Sequence, residues 1–418
     1  MPVKEEGPKD DKFRAFTGND QGSVKIVGAG FNTSEACSLA CPGCYKGNSE
    51  GKSGYILPQI AIRMMEKLKE NGVSEVYFLG AEPTENPELP EILKKAVEMD
   101  FKFVLLISNG DKLASEAYAR QVLRPGVSLL MHRHTLGSDA LAQKIREESV
   151  GKPGTLERNH QAWKNAEMIF KEKGGKDALM MQACLTEAVM TGDNLDSVFR
   201  WARESLGTLP IMEYVAPPHT SVDDQLNWLV TYPFLTRKIV AQLERFMKID
   251  KELGLKVPEY KDAVSPQAYN TSCTMLKEGG QITAGGVFLP CTNMGPESTH
   301  PVQFGNILLE PFEQIEQSST RKAFIQPNFR VQTCDDPCQG SGCWWTGLVT
   351  TGCYRMCQLN CVFNEDKLTI DDMPELCKDC QLKELKENGS LNCGPGTRPG
   401  LTLGSDEEKK LFNFSLRG

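Results

Sequence analysis

Residues 24–44 read Val-Lys-Ile-Val-Gly-Ala-Gly-Phe-Asn-Thr-Ser-Glu-Ala-Cys-Ser-Leu-Ala-Cys-Pro-Gly-Cys. The apolar run Val24–Val27 reads as a first strand that ends at Gly28 and Gly30. The loop after it carries Cys37, Cys41 and Cys44, so three potential ligands stand just beyond the carboxyl end of a strand. Downstream, Ala61, Met64, Met65 and Leu68 recur at helical spacing, with Pro58 near the start and Gly72 past the end. Proline opens helices and glycine closes them, so the segment is a strand, a ligand-bearing loop and a helix in series.

The unit repeats along the chain. Val76–Leu79 is a second strand and Pro90–Met99 a helix; Phe103–Ile107 is a third strand, closed by Asn109-Gly110. Val127–Met131 is a fourth, succeeded by an amphipathic stretch over Glu157–Lys173. Ala178–Ala188 is a fifth, with a helix at Leu195–Leu206, and Ile211–Val215 is a sixth, with a long helix after it at Leu235–Leu253. Strands separated by helices predict a parallel sheet, because parallel neighbours need a crossover. The expected class is α/β, an open partial (β/α)6 barrel of the TIM type; a flat doubly wound sheet fits the same pattern. After about Lys256 glycine, proline and cysteine rise and helical periodicity stops. The expected organisation is a polar leader at 1–23, the barrel at 24–255, a small cysteine-rich domain at 256–398 and a tail at 399–418.

Among 418 residues, 24% charged and 40% hydrophobic exclude wholesale disorder. A net charge of −8 argues against a nucleic-acid binder or a ligand of anionic membranes, both of which need a basic surface. No apolar run reaches membrane-spanning length, and the first residues contain no secretory apolar region. A cytoplasmic location is expected. The chain has 15 cysteines: three within 37–44, one at Cys184, and eleven from Cys273 to Cys393. In a cytosolic chain of this size, clustered thiolates serve metal or catalysis rather than disulfides, and zinc or iron–sulfur centres suit them.

The C-x3-C-x2-C spacing of Cys37, Cys41 and Cys44 is unusual for zinc, where paired C-x2-C halves are the rule. A cubane normally takes four thiolates, so three leave one iron open to an exogenous ligand. This run resembles the signature of the radical S-adenosylmethionine superfamily. Many members carry an aromatic residue before the third cysteine; here Gly43 stands there and Tyr45 comes after. The segment Gly80-Ala81-Glu82-Pro83, after the second strand, is similar to the family's Gly-Gly-Glu-Pro. The resemblance implies a 4Fe-4S cluster on the three cysteines, with S-adenosylmethionine at its open iron. It also implies that the Gly80–Pro83 acceptors hold the methionyl ammonium of that cofactor.

The same resemblance implies further site residues. Ser108 or Asn109 would bond the ribose hydroxyls, against a simple Asn-Gly turn as the plain reading. In His132-Arg133-His134, after the fourth strand, Arg133 suits the carboxylate of the cofactor or substrate; a surface loop is the alternative. Strand carboxyl ends face the active site of parallel barrels, which favours the functional reading. Cys184 reads either as a small core residue or as a thiol inside the barrel, a candidate hydrogen donor.

In the C-terminal region Cys273, twelve residues, Gly286, four residues and Cys291 resemble the opening of a SPASM auxiliary-cluster domain. Gly305-Asn306-Ile307 and Phe312-Glu313-Gln314-Ile315 resemble the next segments of such a domain. Cys334, Cys338, Cys343, Cys353, Cys357, Cys361, Cys377, Cys380 and Cys393 supply the remaining thiols, with Trp344-Trp345 interrupting the usual spacing. One or two auxiliary 4Fe-4S clusters are expected, with one zinc and one cluster as the alternative.

The activity that the resemblance implies is reductive cleavage of S-adenosylmethionine to a 5′-deoxyadenosyl radical, which takes hydrogen from an unactivated C–H. The expected reaction is net oxidation of a small polar metabolite, with an electron donor such as flavodoxin or ferredoxin. Modification of a peptide or protein, radical epimerisation, and a non-catalytic iron–sulfur or zinc scaffold are the alternatives. No nucleic-acid or membrane partner is expected.

Overall fold

The computed structural model describes residues 25–41, 44, 52–175, 177–184, 186, 188–208, 210–213, 242, 245–255, 279–289, 303–318 and 321. The leader, the tail, all cysteines from Cys273 to Cys393, and residues 235–241, 243 and 244 of the expected Leu235–Leu253 helix lie outside the described residues.

Six parallel strands run β1 Gly28–Asn32, β2 Glu75–Leu79, β3 Phe103–Ser108, β4 Val127–His132, β5 Leu179–Cys184 and β6 Ile211–Glu213. Each pairs with its predecessor, as a chain of βα crossovers requires. The helices are α1 Pro58–Glu70, α2 Leu89–Glu98, α3 Glu116–Val122, α4 Ala140–Val150, α5 Leu156–Glu172 and α6 Asn194–Trp201. Pro58 occupies the first turn of α1, whose buried stripe is Ala61, Met64, Met65 and Leu68. In α2 the stripe is Leu89, Ile92, Leu93 and Ala96. Two helices with no counterpart in the sequence reading are capped by side chains. Ser115 accepts from Tyr118 N at the start of α3, and Asp139 accepts from Ala142 N at the start of α4.

Strand residues alternate between two cores. Ala29, Phe31, Val76, Phe78, Val104, Leu106, Leu129, Met131, Met181 and Ala183 pack with the helices. Tyr77, Leu79, Leu105, Leu130 and Met180 form a separate cluster on the other, inner face. Because successive strand side chains point to opposite faces, Asn32, His132, Gln182 and Cys184 share the inner face.

Two expectations are corrected. The first strand lies at Gly28–Asn32, after the apolar run at 24–27, and its glycines are inside it. A Cβ on Gly28 would sit 2.8 Å from the Tyr77 hydroxyl, and one on Gly30 would sit 2.7 Å from Leu79 Cδ2. Bulk on β2 therefore dictates glycine on β1, against β propensity. The sheet also does not end with these six strands. β7 Gln281–Ile282 pairs parallel with β1, and β8 Val287–Leu289 and β9 Gly305–Asn306 continue antiparallel. The order is β6-β5-β4-β3-β2-β1-β7-β8-β9, an open sheet, so strands beyond residue 255 complete the β1 edge.

Candidate active site

The three-cysteine loop leaves β1 and is braced by the end of α4. Ala40 N donates to Val150 O at 3.0 Å, and Lys152 Nζ donates to Ser38 O at 2.9 Å. Gly151 ends α4 in the left-handed region at φ 64°, and a Cβ there would lie 2.1 Å from Ala40 O. Only glycine permits that approach. Cys44 N donates to Cys41 O at 3.1 Å, folding the loop back on itself. Burial, then the charge of Glu82, pushes the Cys37 thiol up to about 12. Burial, then Cys44, pushes Cys41 up to about 11. Cys41 and Cys44 add to the rise at Cys37, and Cys44 to that at Cys41, as expected of thiols gathered where a cation would draw off their protons.

The segment after β2 is laid against β1. Gly80, at φ 139°, would place a Cβ 2.5 Å from Asn32 Oδ1 and 2.7 Å from Ser34 O. Ala81 N donates to Ser34 O at 2.9 Å, and Pro83 starts a single 3-10 turn capped by Glu82. Glu82 is 1% exposed and its carboxylate is held by four donors. Oε1 accepts from Thr84 N at 3.1 Å, Thr84 Oγ1 at 2.6 Å and Ser108 Oγ at 2.8 Å. Oε2 accepts from Asn109 N at 2.7 Å. Burial raises the Glu82 pKa while these bonds oppose the rise. A carboxylate oxygen can accept more than one donor, so Oε2 keeps capacity for a ligand ammonium.

Ser108 and Asn109, expected at the ribose hydroxyls, have partners within the protein. The Ser108 hydroxyl is buried and already donates to Glu82 while accepting from Gly110 N at 3.0 Å. Asn109 makes the turn: its Oδ1 accepts from Asp111 N at 2.8 Å, and its Nδ2 lies 3.6 Å from Cys37 Sγ. Asn109 therefore touches both Glu82 and Cys37.

Arg133, expected at a carboxylate, stacks on aromatic rings. Its guanidinium lies over Trp201 at 4.0 Å and Trp163 at 5.2 Å, among the helices α5 and α6, with Glu167 at 3.8 Å. Its strand neighbour His132 takes the inner face instead. The His132 carbonyl accepts from Trp163 Nε1 and Asn159 Nδ2, both at 3.1 Å, which anchors the strand end. Burial, then Arg146, lowers the His132 pKa to about 4, so the ring is neutral at pH 7. Cys184 Sγ lies 4.0 Å from His132 Nδ1, which puts this thiol on the inner face rather than in the helix-side core.

One site residue has no counterpart in the sequence reading. Arg146, on α4, is 1% exposed; its Nη1 lies 2.6 Å from His134 Nδ1 and its Nε donates to Thr155 Oγ1 at 3.2 Å. Its Nη2 has no hydrogen-bond partner among the described residues, and its charge acts on Cys41. A buried cation with an open donor beside the cysteine loop calls for an anion.

Residues 31–196 match the radical SAM superfamily. This segment contains Cys37, Cys41, Cys44, Glu82, Arg146 and Cys184, with the end of β1 and strands β2–β5. The matched segment, about two fifths of the chain, is similar to a radical SAM domain. It is 27% identical over 222 residues to the 7,8-dihydro-6-hydroxymethylpterin dimethyltransferase of Methanocaldococcus jannaschii, covering 52% of this chain and 42% of that protein. It is 30% identical over 92 residues to the PqqA peptide cyclase of Granulibacter bethesdensis, covering 22% and 24% respectively. The chain thus spans less than half the length of these curated relatives. Among solved structures, anSMEcpe with bound AdoMet aligns with a TM-score of 0.52 at 15% identity, over 81% of this chain and 97% of that one. Streptococcus suis SuiB bound to S-adenosylmethionine aligns with a TM-score of 0.50 at 14% identity, over 81% and 76%. At such identities the likeness is one of fold, and the radical SAM partial barrel is that fold.

Proposed function

We propose that the chain is a radical SAM enzyme that carries out a net oxidation of a small polar metabolite. The observation that carries this reading is Asn109, which joins the buried Glu82 carboxylate to Cys37 and so makes one site of the cysteine loop and the β2 end. Cys37, Cys41 and Cys44 would hold a 4Fe-4S cluster, and Glu82 Oε2 would accept from the ammonium of S-adenosylmethionine. Arg146 Nη2 would pair with the carboxylate, the role expected of Arg133. When bound, the two groups supply an electron and a hydrogen-abstracting radical. The eleven cysteines from Cys273 to Cys393 would hold one or two auxiliary clusters that take the second electron. A flavodoxin or ferredoxin is the electron donor this chemistry needs.

The likeness to a peptide cyclase supports a second reading, in which the substrate is a peptide. One experiment tests the common chemistry. Anaerobically reconstituted protein, given dithionite, should convert S-adenosylmethionine to 5′-deoxyadenosine. Replacing Cys37, Cys41 and Cys44 together with Ala should abolish this while leaving C-terminal iron bound. Undiminished cleavage by the triple variant refutes the cofactor assignment, and a colourless, iron-free variant refutes the auxiliary clusters.

A further inference from the structure

Three buried carboxamides on the inner face have an oxygen with no hydrogen-bond partner among the described residues: Asn32 Oδ1, Gln182 Oε1 and Gln281 Oε1. They are 5%, 3% and 9% exposed and stand on β1, β5 and β7. Strand alternation places all three on one face. Phe31, Ala183 and Ile282, their chain neighbours, pack on the helix side. The Asn32 amide is oriented by its own donor, since Nδ2 donates to Glu35 Oε1 at 2.9 Å, which leaves Oδ1 as the open end. Gly30 is the register partner of Gln281, and Leu79 Cδ2 and Gln281 Cγ occupy the place its Cβ would take. Gln182 is the register partner of His132 and lies two residues before Cys184.

Unpaired buried acceptors are costly, and a fold rarely keeps three on one face without a ligand that supplies donors. Carboxamides offer dipoles and no net charge, so they satisfy O–H and N–H groups but do not compensate a buried ion. Arg133, the one cation expected at this strand end, faces the helices. We propose that Asn32, Gln182 and Gln281 bind the substrate through neutral hydroxyl or amide donors, making the group held over the inner face an uncharged polyol or amide. This deepens the proposed oxidation by naming its substrate class, and it rests on the same site.

The full chain, with its clusters reconstituted, is dialysed anaerobically against two neutral probes, myo-inositol and N-acetylalanine N′-methylamide, and two anions, glucuronate and N-acetylalanine. Retention of a neutral probe above its anionic counterpart is expected, and the probe retained distinguishes a polyol from a peptide source. Gln182→Met, close in shape, should lower that retention about tenfold. It should also melt at or above the wild-type temperature, because it removes an unpaired acceptor. Preferential retention of an anion, retention of neither neutral probe, or a lower melting temperature for Gln182→Met overturns the proposal. Dialysis requires no cleavage of S-adenosylmethionine, so failure of the cofactor reading shows separately.

Discussion

The Ser108 hydroxyl donates a 2.8 Å hydrogen bond to Oε1 of Glu82, joining the end of β3 to the turn after β2. A carboxylate excluded from water is useful for recognising an ammonium only if its orientation is held, and Ser108 helps to hold it. Ser108→Ala should weaken S-adenosylmethionine binding several-fold, the worth of one hydrogen bond to a charged group. Glu82→Gln should weaken it by about 10–100-fold. Because Ser108 acts through Glu82, its effect should disappear in the Glu82→Gln background. Equilibrium dialysis of the four proteins in a double-mutant cycle checks this; additive losses would return Ser108 to a direct ligand contact.

Gly151→Ala should disturb the cysteine loop from the side. The added methyl meets Ala40 O at 2.1 Å, and the left-handed backbone itself costs an L-residue about 1–2 kcal/mol. The expected outcome is lower iron occupancy at Cys37, Cys41 and Cys44 with a reduced urea midpoint. Gly154→Ala, where a Cβ at φ 68° meets nothing within 4 Å, controls for backbone strain alone.

Stability should fall in mild acid. His132 has a folded pKa of about 4 against an ordinary 6.5, and His134 is also driven well below that value. Between these limits the unfolded chain binds protons that the folded chain refuses, so stability present above 6.5 is lost as pH falls towards 4. For His132 alone the loss is about 2 kcal/mol at pH 5. Urea midpoints at pH 7 and pH 5 measure it, and His132→Asn should reduce the difference, leaving the part due to His134.

Run in heavy water, the proposed oxidation should give a product without new carbon-bound deuterium. Cys184 is the group that could make it otherwise, since a thiol proton exchanges with solvent and Cys184 faces inward beside His132. Stoichiometric deuterium in the product, absent with Cys184→Ala, would establish epimerisation in place of oxidation.

The parallel order of β1–β6 and the helices α1 and α2 were legible because apolar periodicity and Pro58 or Gly72 mark them locally. The cysteine loop and Glu82 were legible because their spacing is chemically restrictive. Other features depended on contacts that no local pattern encodes. Gly28 and Gly30 look like strand breakers until Tyr77 and Leu79 are seen across from them. Val127–Met131 carries one polar residue, Ser128, too little alternation to tell that His132, rather than Arg133, turns inward. Arg146 sits among Lys, Glu and Gln on α4 and reads as part of a solvated face. β7 and β9 have two residues each, too short for any period to show.

The pairing of Gly30 with Gln281 also bears on how the protein is made. These residues are about 250 positions apart, and a ribosome adding about 5–20 residues per second needs on the order of 10–50 s to bridge them. Throughout that interval the outer edge of β1 lacks its partner strand, an open template for pairing with another nascent chain. Translation that stops short of residue 281 would leave that edge permanently bare, so such fragments should require chaperone capture to stay soluble even though β1–β6 are already synthesised.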